Sequence, residues 1–254
     1  CGIRANDSRV LCWGYNYYGQ LGNGQSAVES SPYPTLTNDS SAYVSVRGGD
    51  YHTCGIRAND SRVLCWGNDD SGQLGDGQVA ADKVNPTLTN DSSGYNSIDI
   101  GYFHTCGIRA NDSRVLCWGE SGLGRLGDGQ NSVDVFEPTL VNDSSTYSSV
   151  DAGKYHTCGI RANDSRVLCW GSSFRGQLGD GQDSVNRLSP YLTTDSSAYV
   201  SVSAGEIHTC GIRANDSRVL CWGETAYGRV GDGQTSTDRL SPYLTTDSSA
   251  YGRG

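Results

Sequence analysis

One stretch of fourteen residues, CGIRANDSRVLCWG, begins at Cys1 and recurs unaltered at Cys54, Cys106, Cys158 and Cys210. All ten cysteines and all five tryptophans of the chain lie inside these copies, which start 53, 52, 52 and 52 residues apart. A chain with such a period folds as an array of one supersecondary unit. A unit of this length cannot bury a core alone, so each must lean on its neighbours. Residues 1–254 are therefore expected to form a single repeat array.

The unit itself is rich in turn formers. The chain has 34 glycines and only 35% apolar residues, the make-up of short strands joined by tight turns. Read in the second copy, Ala42 to Arg47 alternates, with Val44 and Val46 on one side. His52 to Arg57 and Arg62 to Trp66 flank an Ala58–Asn59–Asp60–Ser61 turn, and a weaker strand lies near Pro86 to Thr89. Proline at the start of that strand suits a sheet edge. Four strands in about fifty residues match one blade of a β-propeller, so the fold class is all-β.

The cysteines are spaced Cys-x10-Cys in every copy. Zinc sites use closer pairs and more histidine, so disulfides are expected, in an oxidising, extracellular or cell-surface compartment. Centring the hairpin turn between Asn6 and Asp7 sets Ile3 opposite Val10 and Cys1 opposite Cys12. The expected bonds are Cys1–Cys12, Cys54–Cys65, Cys106–Cys117, Cys158–Cys169 and Cys210–Cys221, each within its own hairpin. Parity puts Cys1, Ile3, Val10 and Cys12 on one face and Leu11 and Trp13 on the other, so the hairpin is sandwiched between apolar neighbours. Arg4 and Arg9 fall opposite each other, an unfavourable pairing. The expected neutralising group is a carboxylate on the next unit, such as the aspartate of a Gly-Asp-Gly turn, with a bound anion or sugar as the alternative.

The segments VSVRGG, HTCGI, RVLCWG, SGQLGDG and PTLT, in that order, resemble the repeat of the regulator of chromosome condensation family of β-propellers. The resemblance runs through essentially the whole chain in five successive units. It implies four-stranded blades, usually seven to a ring. Five units suggest either a window on a longer array or an open spiral. The chain opens on the second strand of a unit and contains no Met, so a longer parent is expected. It ends at Ala250–Tyr251–Gly252–Arg253–Gly254 where earlier copies continue as Ala42–Tyr43–Val44–Ser45–Val46, so a closing strand would be altered. The family's founding activity, nucleotide exchange on a small nuclear GTPase, is not carried over. Its secreted, cysteine-paired members are closer in type, and these resemble binding or structural modules.

Charge and motifs narrow the function classes. A net charge of −9 argues against a nucleic-acid partner, and no apolar run approaches the roughly 18 residues of a membrane span. Asn-Asp-Ser is an N-glycosylation acceptor and equally good turn chemistry. It stands at the hairpin tips (Asn6, Asn59, Asn111, Asn163, Asn215) and after the fourth strand (Asn38, Asn90, Asn142). Thr193–Thr194–Asp195–Ser196–Ser197 is a candidate for O-linked sugar. The turns at Asp76, Asp128, Asp180 and Asp232 supply one carboxylate each, with Asn23 in the first unit, and calcium wants six to eight oxygens, so a structural turn is expected. His52, His104, His156 and His208 are equivalent to one another, unlike the distinct partners of a catalytic triad, and read as packed rings bonded to neighbouring backbone. No catalytic residue, metal or cofactor is expected.

Variation between units concentrates after Trp-Gly and after Gly-Gln, where a repeat protein places recognition. The aromatic residues there, Tyr17, Tyr18, Phe174 and Tyr227, are candidate binding positions; the second and third units lack one. The expected function is a non-catalytic extracellular structural or interaction scaffold, part of a glycosylated fibre or coat. Its partners would be itself, neighbouring repeats, glycans or another extracellular protein. A carbohydrate-binding propeller is the alternative, and an enzyme-inhibitor or receptor-ectodomain module a further one.

Overall fold

The structure is a computed structural model that describes residues 1–26, 30–78, 81–247 and 249–251. Parts of the variable segments after Gly-Gln, and the last three residues on which the expected closing strand depends, lie outside these. The chain divides into two compact units. Unit 1 comprises Cys1–Glu120 with Val133–Thr139, and unit 2 comprises Ser121–Ser132 with Leu140–Gly254.

Unit 1 holds three antiparallel sheets. The first is three-stranded: β1 (Gly2–Ile3), β2 (Val10–Gly14) and β3 (Ser31–Leu36). The second has four strands, β4 (Tyr43–Gly48), β5 (His52–Arg57), β6 (Val63–Gly67) and β7 (Lys83–Leu88), and the third repeats it as β8 (Tyr95–Ile100), β9 (His104–Arg109), β10 (Val115–Gly119) and β11 (Val135–Leu140). Unit 2 carries two more four-stranded sheets. They are β12 (Tyr147–Ala152), β13 (His156–Arg161), β14 (Val167–Gly171) and β15 (Arg187–Leu192), then β16 (Tyr199–Ala204), β17 (His208–Arg213), β18 (Val219–Gly223) and β19 (Arg239–Leu244). In every sheet the strands lie in sequence order, as in a propeller blade.

The hairpin register is the one the turn arithmetic predicts. Ile3 faces Val10, and Cys54, Ile56 and His52 face Cys65, Val63 and Gly67. Arg57 N donates to the Arg62 carbonyl at 2.9 Å at the turn. Counting inward, the cysteines three positions away occupy the closely spaced, non-hydrogen-bonded type of pair. Their Cα atoms are 4.0–4.1 Å apart, and the five disulfides each close a single hairpin. The turn is completed by a serine in the left-handed region, Ser8, Ser61, Ser113, Ser165 or Ser217, with φ of 55–57°.

The fourth strand is longer than its sequence suggests. It begins at Lys83, so Pro86 is internal rather than leading. The strand is at the sheet edge, where a residue without an N–H is tolerated in mid-strand.

Both faces of the hairpin are covered, by different means. In unit 1, Val10, Cys12 and Leu21 of the first repeat form one core cluster with Tyr43, Leu64 and Trp66 of the second. In unit 2, Cys158, Ile160, Val167, Cys169 and Leu178 pack on Tyr199, Val202 and Trp222. The cysteine face of one repeat is thus closed by the tryptophan face of the next. Trp66, Trp118, Trp170 and Trp222 are fully buried, whereas Trp13 is 49% exposed.

Candidate functional site

Because the strands alternate in direction, turns between successive strands fall at alternate ends of a sheet. The β5–β6 turn and the segment after β7 share one end, the tip end. The β4–β5 turn and the long segment after β6 share the other, the loop end.

The tip end is nearly invariant, and its first arginine is paired within the turn. Arg4 Nε donates to Asp7 Oδ1 at 2.9 Å, and its Nη2 to the second oxygen. The same pair recurs as Arg57–Asp60, Arg109–Asp112, Arg161–Asp164 and Arg213–Asp216. The bond to Arg4 holds the Asp7 carboxyl down to about 2. The acid that relieves the opposed arginines is therefore in the same turn, three residues along, and not in a Gly-Asp-Gly turn. The second arginine of the pair reaches backbone oxygens instead, as Arg62 Nη2 does to Asp91 at 3.1 Å. Three of the four Gly-Asp-Gly aspartates pair with the start of their own fourth strand: Asp76 with Lys83 at 3.0 Å, Asp180 with Arg187 at 2.6 Å, and Asp232 with Arg239. Each also accepts from the second backbone N–H beyond it, as from Gln78 at 2.9 Å. They are turn residues.

The eight sequon asparagines fall into two structural sets. Asn6, Asn59, Asn111, Asn163 and Asn215 stand exposed on the tips. Asn38, Asn90 and Asn142 are also exposed, but their Nδ2 atoms donate to Asn85, Glu137 and Ser189 at 3.0, 2.8 and 3.1 Å. These acceptors lie on the fourth strand of the following repeat.

The loop end rests on a join in which a threonine of the next repeat donates to a loop carbonyl, accompanied by the tryptophan at two of the joins. The Gln73 carbonyl accepts from Trp118 Nε1 at 3.0 Å and from Thr105 Oγ1 at 2.9 Å. Gln177 receives Trp222 and Thr209 in the same way at 2.9 and 2.8 Å. Gly75 lies at φ 69°, and a Cβ there would come within 2.7 Å of the Trp118 ring, so the close approach requires glycine. His52 Nε2 meets Thr105 Oγ1 at 2.9 Å. Since that hydroxyl donates its only proton to Gln73, the histidine must be the donor, which fixes the Nε2–H tautomer. His156 and Thr209 repeat the arrangement at 2.7 Å. Burial pushes both rings down to about 3, so they are neutral and structural. Their partner is a side chain of the next repeat rather than backbone.

On this frame unit 1 displays a continuous strip of six aromatic rings. Tyr15 stacks with Tyr17 at 6.3 Å; Tyr17 meets Tyr18 at 5.0 Å and Tyr18 meets Tyr51 at 5.4 Å, both edge-on. Tyr51 then contacts Tyr102 at 5.3 Å and Phe103 at 5.8 Å. Tyr51 and Tyr102 also bring their hydroxyls to 3.1 Å. Tyr15 and Tyr17 are 54% and 55% exposed, and the other four are half-buried. Burial and the nearby Tyr15 and Asp70 raise the Tyr18 hydroxyl above its ordinary value. The predicted positions Tyr17 and Tyr18 are thus brought together with four rings that sequence reasoning missed, Tyr15 of the same loop and three from elsewhere. Tyr51, Tyr102 and Phe103 come from the turn between first and second strands, and they fill the gap left by the second and third repeats. The signal was the aromatic residue directly before histidine in Asp50–Tyr51–His52 and Tyr102–Phe103–His104.

The loop end of unit 2 is furnished differently. Phe174 meets Tyr155 at 5.9 Å, while Arg125 and Lys154 stand over the Tyr155 ring at 5.7 and 5.2 Å. Tyr227 is 92% exposed, with Arg229 over it at 5.3 Å. Phe174 and Tyr227, both predicted, are not joined into a strip. Toward the tip end, two equivalent open clefts of about 680 and 530 Å³ lie beside Tyr243 and Tyr191. Arg239 and Arg187 already cover those rings at 4.2 and 4.0 Å.

One buried carboxyl stands apart. Asp69 Oδ1 accepts from Leu74 N at 3.0 Å, but Oδ2 has no partner, and burial pushes the group up to about 7. The first repeat has Asn16 at this position; its Oδ1 makes the same bond to Leu21 at 3.0 Å while Nδ2 donates to the Gln25 carbonyl at 3.1 Å. No group of three or more His, Cys, Asp or Glu placed to hold a metal occurs among the described residues.

Comparison with known proteins places this architecture. The regulator of chromosome condensation (RCC1) repeat matches residues 7–56, 112–160 and 164–212, and a second form of it matches 43–73, 95–125 and 147–177. The ultraviolet-B receptor UVR8 of Arabidopsis thaliana is 31% identical over 208 residues, covering 79% of this chain and 46% of that protein. The mouse E3 ubiquitin-protein ligase HERC2 is 26% identical over 93% of this chain and 5% of its own length. The chain thus spans about half or less of the relatives it matches. Among solved structures, human WBSCR16 superposes with a TM-score of 0.82 at 20% identity, over 95% of this chain and 63% of that one. Yeast RCC1 (Prp20) bound to Kap60 gives 0.79 at 19%, over 94% and 57%. The entire ectodomain of the receptor kinase CR4 from Physcomitrella patens gives 0.58 at 25%, over 89% and 50%.

Proposed function

The chain belongs to the regulator of chromosome condensation (RCC1) repeat family, and from that membership we propose that it is a non-catalytic, extracellular protein-interaction scaffold whose recognition surface is the loop end of unit 1. The observation that carries the reading is the six-ring aromatic strip from Tyr15 to Phe103. Exposed aromatic rings on a rigid frame are the usual anchors of an interface. Every described cysteine is in a disulfide, and such bonds persist outside the reducing cytosol. Likeness to a receptor ectodomain supports the same compartment. Membership in a surface fibre or coat is the fuller form of the proposal.

The test compares the oxidised wild-type chain with a Tyr15→Ser/Tyr17→Ser variant against panels of secreted proteins and of glycans. A protein ligand held by the wild type and lost by the variant supports the proposal. A glycan ligand lost in the same way turns the reading to a lectin, and a ligand retained by the variant removes recognition from this end. In a glycosylating secretory host, peptide mapping is expected to find sugar on the tip asparagines, Asn59 for example, ahead of Asn38 and Asn90. The Nδ2 atoms of the latter are engaged by the next repeat.

A further inference from the structure

The rings of the two loop ends differ in what lies over them. In unit 2 the cations are supplied by the chain itself: Arg125 and Lys154 over Tyr155, and Arg229 over Tyr227. In unit 1 the corresponding segments, 15–30, 49–51, 68–82 and 101–103, contain no lysine or arginine and six acidic residues. The exchange is position by position. Tyr51 follows Asp50 where Tyr155 follows Lys154. Gln20 Nε2 donates to the Asp50 carbonyl at 3.5 Å where Arg125 Nη1 donates to the Lys154 carbonyl at 3.3 Å. Unit 1 as a whole has 15 acidic and 8 basic residues, against 13 and 11 in unit 2. An electron-rich ring face beside a carboxylate attracts a cation, and complementary charge selects the partner that brings one.

We propose that the tyrosine strip of unit 1 docks an extended basic segment of a partner protein, its arginine or lysine side chains lying over the rings and pairing with Asp50 and Asp70. Both carboxylates are exposed, and the charge of Asp70 is felt at Tyr18. Arginine binds better than lysine here, because its planar guanidinium stacks on a ring while its edge meets a carboxylate. The proposal rests on the reading that the loop end of unit 1 is the recognition surface, and adds the chemistry of what it recognises.

The experiment uses the whole oxidised chain and fluorescein-labelled oligo-arginine, oligo-lysine, oligo-glutamate and neutral glycine–serine peptides, read by anisotropy at physiological ionic strength. Oligo-arginine is expected to bind, oligo-lysine more weakly, and the other two not at all. Tyr15→Ser/Tyr17→Ser is expected to weaken oligo-arginine about tenfold, from two exposed cation–π contacts. Asp50→Asn/Asp70→Asn is expected to weaken it comparably. Asp60→Asn/Asp112→Asn removes the same charge at the tip end and is expected to change it less than about twofold, since separated exposed charges are screened. Thermal midpoints confirm that the variants are folded. If the tip-end pair weakens binding as much as the loop-end pair, the attraction is to net charge alone and the proposal falls. It also falls if the tyrosine variant binds oligo-arginine as the wild type does. A glycan or neutral peptide that binds and is lost with the tyrosines would overturn the cationic partner while leaving the recognition surface standing. Self-association lost with the tyrosines, measured by sedimentation, would assign the strip to a second copy of the chain. If no probe of any class responds to the tyrosine variant, both readings fall together.

Discussion

Tyr51 and Tyr155 occupy the same place in the repeat, directly before a buried histidine, and their surroundings are opposites. Tyr155 is covered by Arg125 and Lys154; Tyr51 is ringed by Tyr18, Tyr102 and Phe103. Beneath each ring the frame is the same. A threonine donates to the loop carbonyl, a glycine lies against the tryptophan, and a neutral histidine is bonded to the next repeat's threonine. Contacts made by backbone and buried invariant side chains are indifferent to what the exposed loop atoms carry. The two units can therefore differ in surface chemistry without differing in how they fold.

The sharpest way to break this comparison is to damage the frame in each unit separately. Trp118→Ala in unit 1 and Trp170→Ala in unit 2 are each expected to cost about 3–5 kcal/mol, the usual range for a buried aromatic. Urea denaturation measures both; a small loss in one unit only would show that the frames are not equivalent.

Acid should act on both units alike. His52 and His156 are held near 3 in the folded chain against 6.5 when solvated, so the unfolded chain takes up protons first. Stability is then fully present above the solvated value and falls as pH drops toward 3, by about 1.4 kcal/mol per pH unit per ring. His52→Gln and His156→Gln should each flatten the dependence of the urea midpoint on pH.

Base should act on unit 1 through Asp69, whose folded value of about 7 lies above its solvated 3.8. The folded chain keeps this proton longer, so stability falls as pH rises between those values and the loss is complete above 7. Asp69→Asn, which restores the residue type found at Asn16, should raise the urea midpoint at pH 8 and leave it nearly unchanged below pH 4. Unit 2, with Ser121, Ser173 and Thr225 at this position, carries no carboxyl there.

The smallest effect on stability, and the most direct on surface, is Asp50→Lys, which copies Lys154. It should change the thermal midpoint by no more than about 0.5 kcal/mol allows, as exposed substitutions do. It should also weaken oligo-arginine binding to unit 1 in the anisotropy assay.

What the sequence revealed was local or symmetric. The hairpin register, the five disulfides and the two apolar faces follow from a turn centred on Asn6–Asp7 and a period of two. The partner of Arg4 was not legible from cross-strand register, because it lies along the turn and not across the strands. Ser8 at φ 57° folds the turn back so that Asp7 meets Arg4 along it. The strip was half legible. Tyr17 and Tyr18 stood out in a variable loop, but Tyr51 and Tyr102 lie more than thirty residues farther on. Only the packing of successive sheets brings those rings together. Asp69 looked like any loop aspartate; its burial comes from a turn whose geometry is set by Leu74 N.

The loop of each repeat closes over the tryptophan of the one after it, as Gly22 does over Trp66 and Gly179 over Trp222. Each repeat thus offers a socket on one side and a plug on the other, and both halves are written in residues common to the series. Moving a repeat along the chain, loops and all, would leave the joins intact while rearranging the order of surface features. Surface order then becomes a matter of word order in a fixed grammar, open to change by shuffling whole repeats rather than by redesigning any fold.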